Sequence, residues 1–385
     1  MKNKVLSLAT IIALGSSSLL AGDVRVSGFM NIIGGVNDIE PNDAVTGKTS
    51  ESYIGYDNQY DFTNQSLAAI QFNSTITDKM GATVQLIAQK READDDIRME
   101  WGYISYDATD ELRILIGKTR PALFLYSDYI DIGFAYNWIT PPSEVYDQAN
   151  ITNLDGVNIA YATELNDDYT FSTTLFGGNT STKKRNALNG STLDFVMNKT
   201  FGGEIALTNE YAKLHLGYIH SRVTETTTLN STFPSELLFD KSEASFYGVG
   251  LNVDYNNIQF ASEYIGKELD ETISPDVTAY YAMIGYKFGD FTPNYTYSVA
   301  DSDMKYSSNS DVAIKTQVNS MRAGNLDDRT SNTIGLRYEI NARSTFKIEY
   351  IHTNLTHSTY VAETTSLKEK AEMINTYRVA LNAIF

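Results

Sequence analysis

Apolar and polar residues alternate with a period of two along most of this chain. The signal is plainest at the C-terminus. Tyr377, Val379, Leu381, Ala383 and Phe385 share one parity, and mostly polar or small residues fill the other. That period puts successive side chains on opposite faces of an extended strand, one face in an apolar medium. The pattern recurs at Val24, Val26, Gly28, Met30 and Ile32, then at Ala68, Ile70 and Phe72, then at Val84, Leu86 and Ala88. Trp101 and Tyr103 mark a fourth strand; Leu112, Ile114 and Ile116 mark a fifth. After a long interval come Val157, Ile159 and Tyr161, then Tyr169, Phe171 and Leu175, and an eighth strand somewhere in 193–207. The second half reads the same way, from Leu214, Leu216 and Tyr218 through Tyr247 to Tyr255, Ile258 to Tyr264, Tyr280 to Phe288 and Phe291 to Tyr297. Ile334 to Tyr338 and Phe346 to Tyr350 precede the C-terminal set, which makes about 16 strands.

The connections alternate in length. Those near 78–81, 107–111, 164–168, 208–211, 255–257, 288–290 and 341–344 are short. Those near 37–64, 90–97, 118–152, 178–192, 222–243, 267–276, 300–330 and 353–373 are mostly longer and polar. Aromatic pairs flank several short turns, as at Tyr161/Tyr169, Phe288/Phe291 and Tyr338/Phe346. Strands of about 9–11 residues, joined alternately by short turns and long loops, predict a transmembrane antiparallel β-barrel. A soluble sandwich needs neither the alternation of loop lengths nor an aromatic last strand.

The N-terminus supports export. Lys2 and Lys4 precede a mostly apolar run from Val5 to Leu20, and Ala21-Gly22 offers small residues for cleavage. Residues 1–21 therefore read as a secretory signal peptide, and 22–385 as one barrel domain. With 0 Cys there is no disulfide framework and no thiolate chemistry. The 26 Tyr and 17 Phe suit a membrane boundary, where an apolar ring and a polar tip are both satisfied. The net charge is −18; removing the two leader lysines makes the mature chain −20 (−18 − 2). Such a chain has no face on which to neutralise phosphates, so no nucleic-acid partner is expected.

Signal peptide, strand number, a long loop after strand five and a terminal Phe together resemble the general porins of Gram-negative bacteria. The local match is strongest from Gly117-Lys118-Thr119-Arg120-Pro121 into Ala122-Leu123-Phe124-Leu125-Tyr126-Ser127-Asp128-Tyr129. The resemblance implies an outer-membrane channel for passive diffusion of ions and small hydrophilic solutes. It also implies a homotrimer in outer-membrane lipid, and a loop over 118–152 that folds inward and narrows the pore. Tyr377, Val379, Leu381, Ala383 and Phe385 would be the signal read by the barrel assembly machinery. Small outward residues at Gly28, Ala68, Ala82 and Ala88 would permit close subunit packing.

The period-two register turns Arg25, Arg98, Arg113, Arg337, Lys347 and Arg378 into the lumen as a basic wall. Opposite it the resemblance sets the acids of the loop, Asp128, Asp131, Glu144 and Asp147, with a transverse field between them. Phe124, Tyr126, Tyr129, Phe134, Tyr136 and Trp138 read as loop anchors against the inner wall rather than a track for sugars. The alternative function is a substrate-specific channel with an internal solute-binding site. An enzyme is not expected. The 4 His, at 215, 220, 352 and 357, show no metal spacing, and no metal or cofactor is called for.

Overall fold

The computed structural model describes residues 24–38, 56, 58–91, 94–149, 151, 153–186, 192–228, 236–270, 272–308, 310, 312–361 and 366–385. The expected leader lies outside the described residues. Sixteen strands run in chain order: β1 Val24–Asn37, β2 Leu67–Thr77, β3 Met80–Arg91, β4 Asp94–Asp107, β5 Leu112–Thr119, β6 Leu154–Glu164, β7 Thr170–Asn186, β8 Thr192–Thr208, β9 Ala212–Thr228, β10 Glu236–Tyr255, β11 Ile258–Leu269, β12 Asp276–Tyr286, β13 Phe291–Asp303, β14 Asp328–Asn341, β15 Ser344–Val361 and β16 Ser366–Ile384. Each pairs antiparallel with its sequence neighbours, and β16 returns to β1 to close a barrel. Closure leaves no strand edge with unpaired backbone, the condition for a sheet to cross lipid.

Side-chain parity follows the sequence pattern except on β4, where a bulge between Met99 and Trp101 turns Trp101 and Tyr103 inward, against the expected face. Ile116, Leu175, Ile205, Ile284, Ile334 and Ile348 are exposed on the outside, whereas their strand neighbours turn inward. The outward aromatics fall in two rings. Tyr161, Tyr255, Tyr286, Phe291 and Tyr338 lie at the end with the short turns, and Tyr218, Tyr247, Tyr264, Tyr280, Tyr350 and Tyr377 lie toward the other. Asn256 and Asn257 both adopt positive φ, 50° and 68°, which two-residue hairpins of this hand require.

The closing seam depends on one glycine. Gly28 and Phe385 exchange backbone hydrogen bonds of 2.8 and 2.9 Å. A Cβ on Gly28 would stand 2.6 Å from the Phe385 ring. The ring therefore lies flat over β1, and Gly28 is covered within the chain instead of being open to a neighbour.

Several polar intervals expected to be loops are strand. β7, β8 and β9 each have 17 residues, β10 has 20, β15 has 18 and β16 has 19. Their outer ends are rich in Ser, Thr and charge, so no apolar face marks them, yet the backbone ladder continues beyond the apolar belt. The connection from β13 to β14 carries a helix, α2, at Val312–Gly324, whose Val318, Arg322 and Ala323 are buried. The label α1 is kept for a short helix, Ser143–Tyr146, in the loop after β5.

Candidate lumen constriction

After Thr119 the chain turns into the barrel instead of over its rim. Leu123, Phe124, Leu125, Tyr126, Trp138, Val145 and Tyr146 are buried against inward residues of β7 and β9–β13, among them Phe176, Ile219, Phe246, Ala261, Ile265 and Tyr281. Glycines admit the loop backbone to that wall. A Cβ on Gly217 would meet the Leu123 carbonyl at 2.6 Å, and one on Gly250 would meet Leu125 Cβ at 3.0 Å. Trp138 meets Tyr281 edge-on at 5.4 Å and donates from Nε1 to Thr296 Oγ1 at 2.7 Å. The loop then crosses the lumen. Ile132 packs with Phe29, Ala69 and Ile87 on β1–β3, the side away from the Leu125 site.

Polar fasteners hold this course. The Glu263 carboxylate on β11 accepts from the Leu125 N–H at 2.8 Å and the Tyr146 hydroxyl at 2.7 Å. Glu349 on β15 accepts from the Ile139 N–H and from Arg378 Nη2, both at 2.6 Å. Lys347 is 0% exposed, and its ammonium donates to the carbonyls of Gly133, Tyr136 and Trp138. Arg337 donates to the Tyr136 carbonyl at 3.1 Å, and its guanidinium lies 5.4 Å from the Phe134 ring centre. Arg120 bridges Glu100 at 2.7 Å and Asp131 at 2.5 Å, and lies over Trp101.

Of the predicted basic wall, Arg337, Lys347 and Arg378 come together on consecutive strands, through the pairings Arg337↔Lys347 and Glu349↔Arg378. They do not face Asp128 and Asp131. They bind segment 133–140 and Glu349 instead, because buried carbonyls of the loop need donors. Arg25 is exposed at the start of β1. Arg98 pairs with Glu100 at 3.1 Å, and Arg113 with Asp107 at 2.5 Å near a short turn.

The loop acids divide as well. Asp131 is taken by Arg120. Glu144 is buried and accepts from Ser298 at 2.9 Å and Ser331 at 2.5 Å. Asp147 is exposed, 3.8 Å from Arg329. Asp128 is exposed in the lumen. Of the expected assembly set, Tyr377, Val379, Leu381 and Ala383 stand outward, with the Tyr350 ring tilted against Tyr377 at 5.2 Å.

Burial locates the open passage. Inward residues of β12–β16 are covered by the loop: Met283, Thr296, Thr333, Thr345, Thr376 and Asn382 are all buried. On β4–β9, by contrast, inward Tyr103, Leu115, Ala160, Thr174, Glu204 and Lys213 are half-exposed. The free lumen therefore runs along β4–β9, with Asp128 projecting from the loop toward β8 and β9. There Glu204 Oε2 lies 3.1 Å from His215 Nε2, and Thr174 donates to Glu204 Oε1 at 3.2 Å. Sequence reading did not single out Glu204, Lys213 or His215. The register of β8 is the least defined, and a bulge between Asn198 and Phe201, with Lys199 at φ 52°, interrupts the parity leading to Glu204; Lys213 and His215 are inward by the plain alternation of β9, which carries no sign that they meet Glu204.

No protein-family model and no curated protein matches the chain. Solved structures do. OmpT of Vibrio cholerae superposes with a TM-score of 0.56 at 13% identity, over 95% of this chain and 99% of that one. Its in-vitro folded trimer form gives 0.52 at 14% identity, over 94% and 100%. An anion-selective porin from Comamonas acidovorans gives 0.56 at 11% identity, over 94% and 99%. The OmpF of Salmonella typhi in complex with daunomycin gives 0.54 at 12% identity, over 94% and 97%. The chain has the fold of these 16-stranded outer-membrane barrels along nearly its whole length.

Proposed function

We propose that the chain forms a water-filled channel in the outer membrane of a Gram-negative bacterium, for passive diffusion of ions and small hydrophilic solutes. The observation that carries this is a half-exposed polar passage along β4–β9, inside a closed barrel with an apolar outside and two aromatic rings. A loop narrows that passage without filling it. Anion selectivity is a property of the Comamonas porin and is not transferred to this chain. Phe124, Tyr126, Tyr136 and Trp138 are buried against the wall, so a sugar track of a substrate-specific channel draws no support from them. We read the chain as a channel and assign it no reaction.

Purified, refolded protein should produce stepwise ion conductance in planar lipid bilayers. Folded barrels that insert but carry no current would overturn the channel. The trimer belongs to the same reading. Its support is the trimer form of the Vibrio protein, together with the absence of aromatic side chains from the outward positions Ala68, Ala88 and Ile97 where β2–β4 approach the long loops.

A further inference from the structure

We infer that ion selectivity in this channel is set by Asp128, Glu204 and Lys213, at the narrowing beside β8 and β9, and not by the basic residues of β14–β16. The inference rests on the channel reading and names the groups that carry its discrimination. A fixed charge steers ions in proportion to the field it sends into water. That field is lost where the charge is neutralised at contact distance. Lys347 is sealed behind the loop by three carbonyls. Arg378 is buried against Glu349. Arg337 pairs with Glu339 at 3.5 Å and faces the loop backbone. These three cations hold the constriction in place and are withdrawn from the solution it admits.

The open side presents a different set. Arg98 and Arg120 are matched by Glu100 and Asp131, and Arg113 by Asp107. These pairs sum to zero. Asp128 is exposed on the loop, within electrostatic reach of Glu204, Lys213, the already paired Arg120, and His215. Glu204 projects from the facing wall and is held there by His215, which is 0% exposed, and by Thr174. Lys213 stands on the next strand, two residues from His215 on the same face. Counting Asp128, Glu204 and Lys213, two carboxylates stand against one ammonium on this side of the passage, a sum of −1. The sign predicts a preference for cations over anions.

The test is the reversal potential across a bilayer in a salt gradient, kept near 0.1 M or below so that screening over about 10 Å does not erase the effect. The double variant Asp128→Asn/Glu204→Gln should lower the cation-to-anion permeability ratio. Each single change should contribute roughly 2- to 3-fold, the Boltzmann factor of a unit charge several ångströms away in water. Lys213→Gln should move the ratio the opposite way. Asp128 is exposed, and the Glu204 replacement keeps its shape, so both variants should assemble. An unchanged heat shift of the folded band on gels will confirm that they do. An unmoved reversal potential in the double variant, or a Lys213→Gln shift of the same sign, would overturn the inference. So would a larger shift from Arg337→Gln/Arg378→Gln than from the Asp128/Glu204 pair. Absence of current from the folded wild type would instead refute the channel, so the two failures are distinguishable.

Discussion

Lys347 shows how a residue can have the right orientation and an unexpected role. Alternation with Phe346 and Ile348 turns it inward, and the structure agrees. Sequence gave no sign that a loop carbonyl cage would cover it, because the cage belongs to residues more than 200 positions away. Lys347→Met keeps the stem but removes the donor, leaving three buried carbonyls without it. The cost should be of order 1–3 kcal/mol, the usual penalty for an unsatisfied buried polar group, since relaxation and water will serve some of them. A lowered midpoint of unfolding in detergent, with noisier open-channel current, is the expected outcome. An unshifted midpoint and quiet current would show that the cage does not hold the loop. Gly28 carries the second residue-scale expectation. Any side chain there meets the Phe385 ring at 2.6 Å, so Gly28→Val should slow barrel closure. Trimming Phe385 to Ala in the same chain should restore part of the folded yield, and no restoration would mean that the clash is not the cause.

At the scale of elements, the inward course of the loop was expected from the family resemblance and from no pattern within the loop itself. Its aromatics pack against the wall. The path across the lumen was not legible. It depends on the glycine track at 217, 248 and 250, which is invisible until strands are placed side by side. The loop tyrosines give a prediction of their own. Burial holds the phenols of Tyr126, Tyr136 and Tyr146 well above their ordinary value, and pushes Tyr56, packed on Gly35, up to about 12. A raised value means that the neutral form is favoured by folding. The associated stability is full below about pH 10 and is lost as pH climbs through about 12. In a spectrophotometric titration, exposed tyrosines should ionise near pH 10, and the buried set only as the barrel opens. Replacing Tyr126, Tyr136 and Tyr146 by Phe should therefore leave the amplitude of the first step unchanged. A reduced first step would place these rings in water.

For the whole molecule, strand number and closure could be read from the alternation because each membrane-facing stretch carries its own apolar parity. The outer reaches of β7–β10, β15 and β16 could not, since both faces there meet water and nothing selects a parity. The proposed trimer would use the outer surface of β2–β4. In lipid, subunits gain little from hiding apolar area, so association needs backbones that approach closely over small side chains. Ala68 and Ala88 are register partners on that surface. Gly28 is no longer available for such packing, being covered by Phe385. The substitution Ala68→Trp separates the two possible environments. A lone barrel should accept an indole near the membrane boundary, where Trp is at home. A packed interface should not, because the ring would hold the subunits apart. Crosslinking in mild detergent should then find wild-type trimers and Ala68→Trp monomers, each with an intact folded barrel. Trimers of undiminished yield from the variant would move the interface away from this face, and monomers from both would remove the trimer itself while leaving the channel along β4–β9 untouched.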